Sequence, residues 1–545
     1  CGWASNYQKR VYALNIYKIH SCDQPIITMF KLRKSFLLKI ALYVALAIYI
    51  STKLFDLTYR QPFQTINDTQ KYGFEPTDCW FDQTSAPART DCYYMHVPED
   101  HAQQTDKAIT FPVVVFRSDS IISTKAPVLH LGAGGPGAAM PLDYIEGIKA
   151  IWKSHRELST DQGRDLFVID PRGAGLSKPL LTCDTFVESE EKRLKYHLSV
   201  TTQWQESGQD YVECIAKFKN QGVKLSTYNS LSIAHDIEKM RMAANVEEWV
   251  LIGVSYAATY AQIIATQYPD SVEAMVLDSA TFPNLKAHDN FLDNAMAGYL
   301  ALYDYCNLAP NCYTPLENIE KRIWHLHEEL NLNPIKLELD HPYKNNKIDV
   351  LLNGDRFISA LWAGLYDVEI FADLRHIIPQ LEKRSVYTIT SYVENHIDFL
   401  LDPAFGDVSM GSHYCYDDKP YTDFESLRIQ ADKLPKGYLR DTALLALDFP
   451  HNCDEMLIGA SDPIVSAKTK TDIPTLFLHG ELDTITPLSD VTEQRKTFTK
   501  NCLVTYKLSH SVLGGNKYAQ RVAAKFIGDN KRDQKTLDCS EYTWL

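Results

Sequence analysis

The chain has no excess of positive charge. Its 55 lysines and arginines stand against 69 aspartates and glutamates, so the formal net charge is −14 over 545 residues. Nucleic-acid binding requires a basic face, and this composition therefore argues against a nucleic-acid partner. The sequence also lacks the H-E-x-x-H and C-x-x-C spacings of common metal sites. We predict neither a metal nor a cofactor.

The apolar run near the N-terminus, Phe36–Ile50, is shorter than the roughly 20 residues of a membrane-spanning helix. It follows Met29 and a basic segment, an order typical of a secretory signal. We interpret residues 1–28 as upstream translation and residues 29–60 as a signal peptide or signal anchor, with a buried core helix as the alternative. The protein is then exported, secreted or periplasmic, or tethered to a membrane through an uncleaved segment.

The cysteine content supports export. Of the twelve cysteines, setting aside Cys1 and Cys22 leaves ten, an even number that is typical of disulfides in an exported protein. Buried thiols in a cytosolic enzyme are the alternative. Connectivity does not follow from sequence alone; the pairs we expect are Cys79–Cys92, Cys183–Cys214, Cys306–Cys312, Cys415–Cys453 and Cys502–Cys539.

Short apolar runs alternate with helical patterns along most of the chain. Strands buried on both faces of a parallel sheet have continuous apolar sequences of this kind. We therefore predict an α/β fold with a doubly wound, mostly parallel sheet. The predicted strands are Ile109–Arg117, Ala126–Leu131, Asp165–Ile169, Trp249–Ile252, Ala274–Leu277, Thr475–Leu478 and Leu503–Lys507, and two predicted helices are Ser232–Ala244 and Ala257–Tyr268.

Residues 286–455 interrupt this alternation, because they are mainly helical in pattern and contain no run of buried strands. We interpret them as an inserted helical cap between a first part of the core, residues 61–285, and a C-terminal part, residues 456–545. Residues 51–90 are polar and predicted to be irregular. The predicted cap helices include Phe291–Tyr305, Leu316–Leu330 and Asp355–Leu365.

The segment Trp249–Ala257, WVLIGVSYA, runs from an apolar strand through Gly-x-Ser-x-Ala into a helical pattern. This is the context of a nucleophile elbow, a sharp turn that projects a serine oxygen clear of the sheet. The turn tolerates only small neighbours, here Gly253 and Ala257, although Gly is usual at the second position. We predict Ser255 as a nucleophile; a tight turn with a bystander serine is the alternative.

A glycine-rich loop, Leu129–Gly137 (LHLGAGGPG), follows an earlier strand. Such a loop lets the backbone approach a ligand closely. It is expected to supply one backbone N–H of an oxyanion hole, from Gly134 or Gly135 because Pro136 has none, and Tyr256 supplies the other. A phosphate loop is a poor alternative, since the G-K-[ST] ending is absent. In the following segment, Asp165–Ser177, we assign Asp170 and Arg172 a scaffold role beside the elbow.

An acid and a base are expected to follow the nucleophile, with the histidine last. The strand and turn of Thr475–Asp483 supply Asp483, with Glu481 in the same loop and Asp278 after an earlier strand as rivals. A later strand ends at His510. We predict that His510 takes the proton from Ser255 and that Asp483 holds the imidazole in the required tautomer.

These motifs together resemble the α/β-hydrolase superfamily, and within it the secreted tripeptidyl-aminopeptidase and proline-iminopeptidase branch. The resemblance covers roughly residues 75–545, including the paired cysteines near Cys79 and the cysteine-bearing tail. The segments that carry it are Gly134–Gly137, Asp170–Ser177, Gly253–Ala257, His479–Asp483 and the closing His510. It departs from the pattern at Ala257, where Gly is usual, and at Ser509, where Gly commonly precedes the histidine.

The resemblance implies an exopeptidase that releases short peptides or proline from free N-termini, with a cap that limits substrate length. It also implies cap carboxylates that hold the substrate amine, for which Glu369, Asp417 and Asp418 are the candidates. The substrate is thus a peptide or a small acyl compound. A carboxylesterase or lipase would use the same triad, and a non-catalytic binding module on a hydrolase scaffold is a third reading.

Overall fold

A nine-stranded sheet is the main feature of the fold in the computed structural model. The structure describes residues 43, 62–87, 89–103, 107–120, 125–286, 294, 297–308, 316–434, 438–448, 452–529 and 536–542. The strands of the chain are β1 (Gly73–Thr77), β2 (Arg89–Pro98), β3 (Ala108–Arg117), β4 (Val128–His130), β5 (Leu166–Ile169), β6 (Trp249–Val254), β7 (Val272–Asp278), β8 (Ile335–Asp340), β9 (Lys347–Leu352), β10 (Thr475–Gly480) and β11 (Asn501–Tyr506). Each predicted strand overlaps one of these.

The spatial order in the large sheet is β1-β2-β3-β5-β4-β6-β7-β10-β11. Strands β1, β2 and β3 form an antiparallel edge, and β5, β4, β6, β7, β10 and β11 run parallel. The central parallel strands are buried on both faces: Leu129 and Leu251 face one core, whereas Val128 and Val250 face the other. This two-sided burial explains their continuous apolar sequences and confirms the predicted doubly wound, mostly parallel architecture.

Helices cover the sheet and fill the segment between β7 and β10. The described α-helices, numbered in chain order, are α1 (Ile145–His155), α2 (Asp184–Arg193), α3 (Val200–Asn220), α4 (Ser230–Ala243), α5 (Ala257–Gln267), α6 (Tyr305–Leu308), α7 (Ile319–Leu332), α8 (Gly354–Gly364), α9 (Glu369–Leu381), α10 (Ile389–Leu400), α11 (Asp407–His413), α12 (Phe424–Ala431), α13 (Tyr438–Asp448), α14 (Cys453–Met456), α15 (Leu488–Gln494) and α16 (Lys517–Gly528). A short π-helix, Tyr414–Asp418, follows α11.

Two expectations about local structure are wrong. Residues 51–90 were expected to be irregular, but β1 and the start of β2 lie there. The segment 286–455 also contains a two-stranded antiparallel sheet of β8 and β9. The hairpin strands bury one face, since β8 alternates between buried Leu337 and Leu339 and exposed neighbours, and β1 is short and buries only its first two residues. Such strands lack the continuous apolar run that identified the central strands.

The inserted segment packs around a hydrophobic core of its own. Helices α7 to α10 and the β8–β9 hairpin contribute to it, with Phe357, Leu361 and Phe371 fully buried. The helical region after β5 also packs against the inserted segment. Leu194 belongs to the same core, and Tyr211 packs with Val408 in another cluster. The boundaries 61–285, 286–455 and 456–545 stay a prediction. The predicted helix Phe291–Tyr305 lies partly outside the described residues.

Four of the five expected disulfides are present: Cys79–Cys92, Cys183–Cys214, Cys415–Cys453 and Cys502–Cys539. Cys306 is also disulfide-bonded, but its expected partner Cys312 lies outside the described residues. The bonds tie segments up to 38 residues apart in the chain. Cross-links of this kind stabilise a fold chiefly by restricting the unfolded chain.

The predicted upstream segment 1–28 and signal segment 29–60 lie outside the described residues, apart from Tyr43. That part of the chain belongs to a separate unit, Cys1–Tyr59. In the ranges that the structure does describe, no helix is both long enough and apolar enough to cross a membrane. The membrane tether therefore stays a prediction.

Candidate active site

Ser255 occupies the turn between β6 and α5. Its φ of 55° lies in the left-handed region, where a side chain is strained unless the surroundings hold it. The backbone N–H of Ser255 donates to Asp278 O at 2.9 Å, and Ser255 O accepts from the N–H of Ala258 at 3.1 Å. A Cβ on Gly253 would lie 2.7 Å from Ala258 Cα, so glycine is required there. Ala257 is fully buried, and the turn therefore accommodates its methyl group.

The glycine-rich loop lies against this turn. Gly134 has a φ of 100°, and a Cβ built on it would lie 2.9 Å from the Cβ of Ser255. Gly135 instead borders an open cavity. Tyr256 begins α5 directly after Ser255. Within the described part of the chain, the N–H groups of Gly134, Gly135 and Tyr256 donate to no protein acceptor, as an oxyanion hole requires.

Asp483 and His510 form a hydrogen-bonded pair. His510 Nδ1 lies 2.9 Å from Asp483 Oδ2, and the exposed fractions of the two side chains are 6% and 0%. Thr486 donates to both oxygens of Asp483, from its hydroxyl at 2.8 Å and its N–H at 2.9 Å. Burial alone would raise the pKa of Asp483, but the hydrogen bond and the charge of His510, together with the Thr486 N–H, lower it below its ordinary value. Asp483 is thus held as a carboxylate.

The two rival carboxylates have other roles. Asp278 is fully buried and accepts the N–H groups of Val512 at 3.0 Å and Leu513 at 2.7 Å. It therefore fixes the loop that follows His510. Glu481 is exposed and accepts from the Thr505 hydroxyl at 2.9 Å. Of the three candidates, Asp483 is the one that the structure joins to His510.

Ser509, the departure from the usual glycine, connects the histidine loop to the inserted segment. Its hydroxyl donates to Leu365 O, at the C-terminal end of α8. On the other side of the histidine, the Ser511 N–H donates to Ser279 Oγ at 2.8 Å. Tyr366 packs its ring edge-on against the imidazole of His510, with 5.3 Å between ring centroids. Tyr366 was not predicted from the sequence, because it does not belong to a recognisable motif.

Ser255 and His510 line one cavity of about 1120 Å³. Among the described residues they make no direct hydrogen bond, and catalytic contacts of this kind commonly tighten only with substrate bound. The inserted segment supplies most of the wall, which is largely apolar. The aromatic residues of the cavity wall are Trp204, Tyr299, Trp362, Tyr366, Tyr392, Phe399 and Phe405.

The three predicted amine-binding carboxylates do not line this cavity. Asp417 and Asp418 are buried in the π-helix. Glu369 begins α9 beside Asp367, and the hydrogen bond with Asp367, burial and the charge of Asp367 raise the pKa of Glu369. Among the described residues of the wall, Asp367 is the one carboxylate. Sequence reasoning missed it, although it lies two positions before the candidate Glu369.

Asp170 supports the loop that follows the glycines. It is fully buried and accepts the N–H groups of Met140 at 2.6 Å and Leu176 at 3.0 Å. Arg172 is also buried and donates to Asp236 at 2.5 Å and to Thr227 O at 2.8 Å. These contacts agree with the scaffold role that the sequence suggested.

Replacing Asp170 by asparagine is expected to change the pH dependence of stability. Burial raises the pKa of Asp170 to about 7, so the folded protein keeps a proton that the unfolded chain releases near its ordinary pKa of 3.8. The contribution of Asp170 to the free energy of unfolding is fully present below about pH 4 and is lost as the pH rises through about 7, by up to about 4 kcal/mol. Asparagine has no such titration. Urea unfolding at about pH 4 and pH 8 gives the free energy of unfolding of the wild type and of the variant. If the two proteins differed in this free energy by the same amount at both pH values, the assignment would be contradicted.

Comparisons with known proteins identify relatives of this chain. The profile of the alpha/beta hydrolase fold family matches residues 134–514. A tripeptidyl aminopeptidase from Streptomyces lividans is 27% identical over 227 residues, which is 39% of this chain and 39% of that protein. The serine protease Hip1 from Mycobacterium tuberculosis is 25% identical over 243 residues, 43% of this chain and 44% of that protein.

The matched region thus spans about two-fifths of the length of these curated relatives. Among solved structures, an esterase from Exiguobacterium antarcticum aligns with 78% of this chain and 98% of that chain, with 10% identity and a TM-score of 0.36.

Proposed function

The chain belongs to the alpha/beta hydrolase family, and on this premise we propose that it is a serine exopeptidase that releases short peptides or proline from free N-termini. The observation that carries the proposal is the 2.9 Å contact between the buried Asp483 carboxylate and His510, whose imidazole lines the same cavity as Ser255. Peptidases among the relatives that match part of the chain support the peptide substrate.

The proposed reaction proceeds through an acyl-enzyme. His510 takes the proton of the Ser255 hydroxyl as its oxygen attacks the substrate carbonyl, and Asp483 stabilises the imidazolium that forms. The N–H groups of Tyr256 and of Gly134 or Gly135 receive the negative charge of the tetrahedral intermediate. His510 then protonates the leaving amine, and water attacks the acyl group in a second step with the same groups.

The exopeptidase part of the proposal is supported by the position of Asp367. A largely apolar wall with one carboxylate provides a subsite for a single cationic group, and a free N-terminal ammonium has that chemistry. Glu369 is hydrogen-bonded to Asp367, so the protonation state of Glu369 would change the net charge of these two carboxyl groups. Substrate binding by Glu369, Asp417 or Asp418 directly is less well supported, because none of them faces the cavity.

Asp367→Asn is expected to lower kcat/KM for reporters with a free N-terminal amine by about 10- to 100-fold, since a hydrogen bond to a charged group contributes about 1.5–3 kcal/mol. Turnover of an acyl ester without an amine should be unchanged. Asp349→Asn is the matched control, because Asp349 pairs with Lys336 at 3.1 Å in the hairpin and not in the cavity. Equal losses on both substrate types would refute an ammonium subsite.

A carboxylesterase or lipase is the second candidate, and the aromatic wall of the cavity favours it. Labelling with a fluorophosphonate probe, followed by a panel of short acyl esters and peptides with free N-termini, separates the readings. The exopeptidase proposal expects labelling at Ser255 and peptide turnover. Strong ester turnover with none on peptides would favour the esterase, and absence of labelling would favour a non-catalytic scaffold.

We also propose that the protein is exported. The four described disulfides support an oxidising compartment, since disulfides of this number are rare in reducing cytosol. Intact-mass measurement of protein from the host culture medium, with and without reductant, tests this. Fully reduced thiols in the native protein would argue against export.

A further inference from the structure

Asp417 lies behind the nucleophile turn rather than in the cavity. It is 2% exposed, and its Oδ2 accepts three hydrogen bonds: from the Tyr256 hydroxyl at 3.1 Å, the Ser230 hydroxyl at 2.6 Å and the Ser230 N–H at 3.2 Å. Three donors on one oxygen leave that oxygen no capacity for a substrate amine. The carboxylate therefore has a fixed position against the residue that follows Ser255.

The backbone that carries Asp417 is itself anchored. Lys286, which is 3% exposed, donates to Asp417 O at 2.7 Å and also to Pro283 O at 2.6 Å and Val465 O at 3.0 Å. Two residues before Asp417, the Cys415–Cys453 disulfide adds a covalent constraint. Asp417 thus belongs to a rigid part of the inserted segment, and a rigid support is what a preorganised site requires.

Tyr256 is held at both ends. Its backbone begins α5 and presents the N–H assigned to the oxyanion hole, while its ring lies edge-on to Tyr260 and to His413 at centroid distances of 5.5 Å and 6.2 Å. The hydroxyl at the far end of the ring reaches Asp417. The ring contacts and the hydrogen bond to Asp417 restrain this side chain, and through the covalently attached backbone they help to hold the N–H and the Ser255 turn.

We propose that Asp417 is a positioning residue that holds Tyr256, and through it the oxyanion N–H and Ser255, in the reactive arrangement. This inference rests on the proposed serine-hydrolase function. It assigns the inserted segment a part in the chemical step as well as in substrate selection, because Asp417 reaches the turn from the segment between β7 and β10. The residue acts through Tyr256 and does not touch substrate.

Asp417→Ala and Tyr256→Phe test the proposal separately. Removing an oxyanion donor outright costs about 10²- to 10³-fold in kcat, and a displaced donor should cost less, about tenfold. We expect each variant to lower kcat about tenfold with KM within about twofold, both on a peptide reporter with a free amine and on an acyl ester without one. Should Asp417→Ala raise KM only for the free-amine reporter, Asp417 would be an amine-binding residue and the positioning role would be wrong.

Tyr260→Phe is the matched control. It removes a buried hydroxyl one turn further along α5, whose partner is His413 at 3.4 Å, and it should leave kcat within about twofold. The double variant Asp417→Ala/Tyr256→Phe should lose no more activity than either single variant, because both remove the same contact. Losses that multiply in the double variant would show independent structural effects and overturn the inference.

Labelling rates with a fluorophosphonate distinguish this inference from the function on which it rests. If the wild-type protein is not labelled, the proposed function fails and the positioning role fails with it. If the wild type is labelled and both variants react at its rate, only the positioning role is overturned. Since Tyr256→Phe leaves the buried carboxylate in place, it provides this readout even if Asp417→Ala does not fold.

Discussion

Replacing Ser255 by alanine is expected to lower kcat by about 10⁴-fold or more on any substrate that the protein turns over. The hydroxyl is the proposed nucleophile, and the remaining groups retain only binding and oxyanion stabilisation. Alanine and serine meet similar strain at the φ of 55°, so the free energy of unfolding should change little. Steady-state kinetics and thermal unfolding of the two proteins give the comparison.

Ser511→Ala is the control for Ser255→Ala. Ser511 also has a left-handed φ, 62°, and borders the same cavity, but its contact to Ser279 is made by the backbone N–H and survives the change. Its effect on kcat should stay within about tenfold. A Ser255→Ala protein with wild-type turnover would remove the basis of the proposed function.

Asp483→Asn is expected to lower kcat by about 10⁴-fold, because an amide cannot hold the imidazole in the tautomer that accepts the serine proton. The donors from Thr486 meet both oxygens of Asp483, so the asparagine NH₂ must displace a donor or face the His510 Nδ1–H. Either outcome removes the stabilisation of the imidazolium. The measurement is kcat on an ester and on a peptide reporter.

Glu481→Gln is the matched control, since Glu481 lies in the same loop and is exposed. It should retain activity within about threefold. If Glu481→Gln abolished activity while Asp483→Asn did not, the acid would have been assigned to the wrong carboxylate. Circular dichroism on each variant separates a loss of chemistry from a loss of folding.

Much of the central fold could be predicted because its strands are buried on both faces. Strands such as β4 and β6 are apolar without interruption, and the sharp turn at Ser255 has its own signature in Gly253 and in the strand and helix on either side. The edge strand β1 and the β8–β9 hairpin were not predicted. The hairpin strands bury one face only and β1 buries only two residues, so their sequences resemble surface loops.

The candidate site also has a part that could be predicted from the sequence and a part that could not. The candidate elbow and the order of the candidate acid and base follow from local sequence, and in the structure His510 contacts Asp483 and lines one cavity with Ser255. Asp367, Tyr366 and the contact between Asp417 and Tyr256 could not be predicted. Each depends on which surface of the inserted segment packs over the sheet, and no local pattern contains that information.

The amino-acid sequence by itself determined the α/β architecture, the sharp turn at Ser255 and a short set of carboxylates near the histidine, because periodicity and turn chemistry act over a few neighbouring residues. Only the tertiary structure decided which carboxylate meets the imidazole, which one lines the cavity and which one is buried behind the turn. Contacts between residues as far apart as Tyr256 and Asp417, which lie 161 positions from each other, are set by the packing of whole helices and loops. That packing minimises exposed apolar surface and unpaired polar groups over the entire chain.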